Sequence, residues 1–193
     1  MKVQIIIGST RPERQSDRLA KWVAIEAAKQ EGMEVETVDM REYVLPLFDE
    51  AISPQYNPDR KPTAAVKKWL DKVAEADAFI LVTPEYNRST SGVIKNALDF
   101  IGFQFENKPV AIVAHGTTGG AQAVSHLRGM IPQLQTITIP KAVYFAHRVG
   151  EVVSEEGELD AEIAAHPYGP AGALQATLES LKWYTEALIA AKK

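Results

Sequence analysis

The strongest constraint on this chain is an alternation. Short runs of β-branched and aliphatic residues are each followed by a longer stretch with apolar residues at helical spacing. Such alternation builds βαβ units, in which parallel strands are covered on both faces by crossover helices. Strands buried on both faces read as nearly continuous apolar runs, and Val3-Gln4-Ile5-Ile6-Ile7 has that character.

The pattern predicts strands over residues 3–7, 35–39, 79–82 and 109–114, and a fifth over 136–139 and 142–145 broken by Pro140. Helices are predicted over 16–32, with Gly32 as its C-cap glycine, and over 62–76, 92–100, 120–130 and 171–191. Residues 43–60, rich in proline and polar side chains, read as an irregular surface excursion. The acidic segment 151–162 reads as a solvated excursion rather than a cation site.

Composition narrows the class. With 193 residues, 46% hydrophobic and 24% charged, the chain is expected to form one globular domain over 1–193. A balance of 21 basic against 25 acidic residues disfavours a protein built to cover nucleic acid or an anionic membrane. The absence of cysteine excludes disulfides, a thiolate nucleophile and cysteine-ligated clusters, so redox chemistry would need a borrowed cofactor. The first apolar run ends at Gly8, too soon for a signal peptide, and no run approaches the roughly 20 residues of a membrane span. The expected compartment is therefore the cytoplasm.

In an open parallel sheet, ligands bind beyond the carboxyl ends of the strands, where the strand order reverses. Three loops hold that position. The first, Gly8-Ser9-Thr10-Arg11-Pro12-Glu13-Arg14-Gln15-Ser16, joins hydroxyls and arginines to a helix N-terminus. It reads as a phosphate cradle or as an ordinary strand-to-helix loop with Ser16 as N-cap. The second, Pro84-Glu85-Tyr86-Asn87, suits a flat heterocycle, or else ends a strand with Tyr86 packed on the surface. The third, His115-Gly116-Thr117-Thr118-Gly119-Gly120, lets a ligand approach backbone amides, or simply turns the chain.

Several chemistries are disfavoured. There is no Gly-x-x-x-x-Gly-Lys-Ser/Thr loop, no Gly-x-Gly-x-x-Gly fingerprint and no Gly-x-Ser-x-Gly elbow. His115, His126, His147 and His166 lack zinc-site spacing, so no metal is expected. Lys95 and Asp99, four apart, read as a surface or capping pair.

Taken together, Gly8-Ser9-Thr10-Arg11, Pro84-Glu85-Tyr86-Asn87 leading to Lys95-Asn96-Ala97-Leu98-Asp99-Phe100, and Gly116-Thr117-Thr118-Gly119-Gly120 resemble the NADPH-dependent FMN reductase family. The resemblance implies a three-layer, flavodoxin-like, doubly wound α/β fold with a five-stranded parallel sheet in the order 2-1-3-4-5. It implies FMN with its phosphate held by Ser9, Arg11 and Ser16, its ring along Pro84, Glu85, Tyr86 and Asn87, and its pyrimidine edge facing Gly116, Thr117 and Gly119. Where this chain has His115 the family often has serine, and where it has Arg18 the family often has asparagine.

The implied activity is hydride transfer from NADPH or NADH through flavin to small acceptors by a ping-pong mechanism, with no catalytic acid or base. Quinones, azo compounds, metal oxyanions and free flavin are the implied acceptors. A homodimer or homotetramer is implied as well. The competing readings are a flavodoxin-type electron carrier, which would be shorter and more acidic, and a flavin-binding regulator without turnover.

Overall fold

The computed structural model describes residues 1–192. Its strands are β1 (Lys2–Ile7), β2 (Glu34–Asp39), β3 (Ala78–Pro84), β4 (Pro109–His115) and β5 (Ile137–Phe145). The helices are α1 (Ser16–Ala28), α2 (Ala64–Ala74), α3 (Gly92–Asp99), α4 (Ala121–Met130), α5 (Val149–Val152), α6 (Ala161–Ala165) and α7 (Pro170–Ala191). All neighbouring strands pair in parallel, in the order β2-β1-β3-β4-β5. This is the flavodoxin-like topology. The chain moves outward from β1 to β2, then crosses back over β1 to β3, so the loops after β1 and β3 diverge and open a crevice.

Each face of the sheet carries its own core. Leu19, Trp22 and Val23 of α1 and Leu174, Leu178 and Leu181 of α7 cover one face. Val66, Trp69, Leu70 and Val73 of α2, with Ile94, Val124 and Leu127 of α3 and α4, cover the other. The α2 residues fall at i, i+3, i+4 and i+7, which is one stripe of a helix. Thr63 caps that helix, accepting from the amide of Val66. Trp69 also donates its indole N–H to the carbonyl of Ala97 at 3.0 Å, satisfying an orphan acceptor in the last turn of α3.

Two expectations need correction. α1 stops at Ala28, not Gly32: Gln30 donates to the carbonyl of Ala27 at 3.0 Å and Met33 to that of Gln30 at 3.2 Å, and these turns carry the chain to Gly32 at φ 80°. Pro140 does not break the fifth strand, which runs through it. Val110 pairs with Thr138 and Ile112 with Ala142, so Pro140 sits in a register shift on an edge strand. A residue without an N–H is tolerated there because no ladder bond is required of it.

Residues 43–60 are irregular apart from a single 3-10 turn at Pro54–Tyr56, as expected. The acidic segment folds back on α1, with Glu155 accepting from Arg18 at 2.9 Å.

Candidate active site

The crevice is built by tying the ends of β1, β3 and β4 to the helices that follow them. Gly8 extends β1 by donating to the carbonyl of Val82 at 2.8 Å. A Cβ on Gly8 would lie 2.0 Å from Ile94 Cδ1 and 3.1 Å from the Val82 carbonyl oxygen, so any larger residue would have to displace the buried Ile94 side chain of α3. Ser91 caps α3, accepting from the amide of Ile94 at 3.2 Å, and its hydroxyl donates to the carbonyl of Gly8.

In the first loop the two arginines differ. The Arg14 guanidinium is 3% exposed, forks onto both Asp39 oxygens, also meets Asp17, and donates to the carbonyl of Ser9. Burial pushes the Asp39 carboxyl up, but Arg14 and the Arg41 amide outweigh it and hold the group below its usual range. Arg14 is thereby committed to the fold. Arg11 is exposed, makes no ion pair among the described residues, and lies with its guanidinium carbon 5.3 Å from the Tyr86 ring centroid.

Ser9 and Ser16 are each 1% exposed. The Ser9 hydroxyl is 2.8 Å from the Tyr86 hydroxyl, and the Ser16 hydroxyl is 2.9 Å from His115 Nε2. Ser16 is the first residue of α1, not its N-cap. Gln15 occupies the cap position in a helical conformation and no side chain bonds the helix's first amides. Among the described residues the N-terminus of α1 therefore keeps uncapped donors and the positive end of its dipole, with the Ser16 hydroxyl in its first turn and Ser9 and Arg11 in the loop that leads to it.

The second loop is a two-residue hairpin. Tyr86 and Ser89 exchange backbone hydrogen bonds at 2.8 and 3.0 Å, with Asn87 at φ 49° and Arg88 at φ 64° between them. Two left-handed central residues are the requirement of a type I′ turn, and asparagine meets it readily. Glu85 is half-buried and engaged by the third loop and α4. Its carboxylate accepts from the amides of Gln122 and Ala123 at 2.9 and 3.4 Å and from the Thr118 hydroxyl at 3.3 Å, so it caps α4 and joins the second loop to the third.

In the third loop Gly119 donates to the carbonyl of Gly116 at 2.9 Å, and Gly119 itself is buried against Tyr144. Thr117 is exposed. A cavity of about 580 Å³ opens beside this loop, lined by Gln15, His115, Gly116, Thr117, His147 and Val149. His147 and Val149 follow β5 and were missed in the sequence. The rule that sites follow strand ends could have found them.

The three loops thus converge in two contact groups: Ser9 and Arg11 both meet Tyr86, and Ser16 meets His115, which precedes Gly116 and Thr117 in the chain. Glu85 joins the second loop to the third through its carboxylate, and Gly119 closes a turn onto the Gly116 carbonyl. Buried hydroxyls, helix amides and a free arginine suit a phosphate. The neighbouring tyrosine, left-handed turn and glycine loop suit a flat ring.

Comparison with known proteins identifies the family. The family model for NADPH-dependent FMN reductase matches residues 1–150. The chain is 30% identical over 184 residues, 86% of this chain and 92% of the other, to an NAD(P)H-dependent FMN reductase of Schizosaccharomyces pombe. It is 33% identical over 170 residues, 81% of this chain and 87% of the other, to a 2-hydroxy-1,4-benzoquinone reductase of Burkholderia. Among solved structures, the flavoenzyme NAD(P)H:(acceptor) oxidoreductase FerB of Paracoccus denitrificans aligns with a TM-score of 0.73 at 24% identity, covering 95% of this chain and 98% of that one.

The fold and site define a flavodoxin-like oxidoreductase. Within that class, the chain belongs to the NADPH-dependent FMN reductase family, whose cofactors are FMN and a reduced nicotinamide nucleotide. The donors present fit FMN, because the α1 amides, Ser9, Ser16 and Arg11 supply hydrogen bonds and charge for one phosphate without a lysine-bearing P-loop.

Proposed function

We propose that the protein is a single-domain, FMN-dependent NAD(P)H oxidoreductase that reduces small acceptors by a ping-pong mechanism. Quinones and azo compounds are the first candidates, since relatives are named 2-hydroxy-1,4-benzoquinone reductase and FMN-dependent NADPH-azoreductase. Metal oxyanions and free flavin follow. Bound FMN supplies the chemistry, accepting hydride from the nicotinamide and passing electrons to the acceptor.

The observation that carries this reading is the N-terminus of α1, free of any side-chain cap, beside buried Ser9 and Ser16 and the unpaired Arg11. In the proposed arrangement these groups hold the phosphate. The backbone of Pro84, Glu85 and Asn87 and the face of Tyr86 bear on the ring, and Gly116, Thr117 and Gly119 offer it amides. Arg14, fixed by Asp39, is not a phosphate ligand in this arrangement but fixes the loop that carries Ser9.

A homodimer or homotetramer is supported by large apolar side chains on the surface, Val44 at 82% exposed and Leu47 at 84% among them. No described helix is long and apolar enough to cross a membrane. We place the protein in the cytoplasm. Steady-state NADPH oxidation with a benzoquinone tests the mechanism: double-reciprocal plots should be parallel and the rate should require FMN. Turnover without flavin, or intersecting plots, would contradict it.

A further inference from the structure

Ser16 and His115 face each other across the crevice although they lie 99 residues apart in the chain. His115 is the last residue of β4 and its backbone is fixed on both sides, in register with Pro84 of β3 and Phe145 of β5, while its carbonyl accepts from the Glu85 amide at 2.8 Å. The imidazole is therefore set by the sheet rather than by a loose loop. Its Nε2 is 2.9 Å from a hydroxyl that is itself 1% exposed at the start of α1.

The Ser16 hydroxyl has one proton, and two arrangements are open to it. If it donates to Nε2, the oxygen turns only lone pairs toward the α1 N-terminus, which is unfavourable for an anion there. If Nε2 carries the proton and donates to Ser16, the hydroxyl proton is free to point at the anion. Burial lowers the imidazole to about 4, so the ring is neutral at pH 7 and has one proton to place. With a phosphate at the helix end, the second arrangement is the favourable one.

We propose that His115 is a positioning residue for the flavin phosphate: by donating from Nε2 to Ser16 Oγ it aims the Ser16 proton at the phosphate and sets the preference for FMN over riboflavin. This inference rests on the FMN reading of the site and adds a residue of β4 to the phosphate recognition. Serine at this position has a shorter reach and brings no such tautomer choice, so this chain's histidine marks a local solution.

The test is the affinity of the flavin-free full-length protein for FMN and for riboflavin, which lacks the phosphate, measured by flavin fluorescence quenching. His115→Leu should weaken FMN about tenfold, the worth of one charge-assisted hydrogen bond, with riboflavin changed less than about twofold. His115→Gln, whose amide can donate near the place of Nε2, should restore most of the loss and thereby exclude misfolding as its cause. Combining His115→Leu with Ser16→Ala should be no worse than Ser16→Ala alone.

Equal weakening of both flavins by His115→Leu would overturn the proposal and leave a packing role. So would FMN affinity that falls with Ser16→Ala and not with His115→Leu, although the phosphate reading would survive. A parent protein that binds FMN no tighter than riboflavin would overturn the phosphate reading, and this inference with it.

Discussion

Gly120 decides how closely the third loop can approach the sheet. It sits at φ 79°, and a Cβ there would fall 2.5 Å from Ala114 Cβ and 2.9 Å from the His115 nitrogen, both rigid parts of β4. Gly120→Ala combines left-handed strain with overpacking, and we expect a loss of about 2–4 kcal/mol in stability, read as a lower urea midpoint at unchanged m-value. His115 makes a pH prediction at the same scale. Its folded-state value of about 4 lies below the ordinary 6.5, so between those values the unfolded chain binds more protons. Stability therefore falls as pH drops from about 6.5 to about 4, by up to about 3 kcal/mol, and His115→Gln should flatten that limb in denaturation curves of the flavin-free protein. Tyr86→Phe removes only the contact with Ser9, so it should cost about 1 kcal/mol or less in stability while changing turnover more. A larger loss of stability would make Tyr86 a packing residue.

The elements are tied together by side chains whose partners are remote in sequence. Arg14 and Asp39 join the first loop to the end of β2 across 25 positions. Asp39→Asn leaves the buried guanidinium short of a counter-charge, and we expect a loss of about 2 kcal/mol together with weaker FMN binding, since Arg14 also holds the Ser9 carbonyl. Because the Asp39 carboxyl is held below its usual range, its contribution is present at neutral pH and is lost only as pH falls through that depressed value. The strands and the loops that follow them were legible in the sequence because apolar runs such as 79–82 and 109–114, ended by Thr83-Pro84 and His115-Gly116, are local signals, whereas the strand order came only from the family resemblance. The division of labour between Arg11 and Arg14 was not legible. Nor was Glu85 as the cap of α4, whose amide partner stands 37 positions away, since both depend on which side chain the fold brings alongside. Pro140 misled for a related reason: a proline forbids a ladder bond, but only the edge position and the register shift show that none was needed.

At the scale of the whole molecule, two apolar cores fix a sheet whose crossing point collects an uncapped helix, two buried hydroxyls, an arginine, a tyrosine turn and a glycine loop in one crevice. In the proposed arrangement that crevice holds the FMN of the family, which would supply the redox chemistry that a chain without cysteine lacks. The most direct test is an anaerobic titration of the FMN-loaded protein followed by flavin absorbance. NADPH should bleach the oxidised band rapidly, and a benzoquinone added afterwards should restore it within one turnover. Flavin that binds but is not bleached by NADPH or NADH would contradict the reductase reading and leave an electron carrier or a regulator in its place.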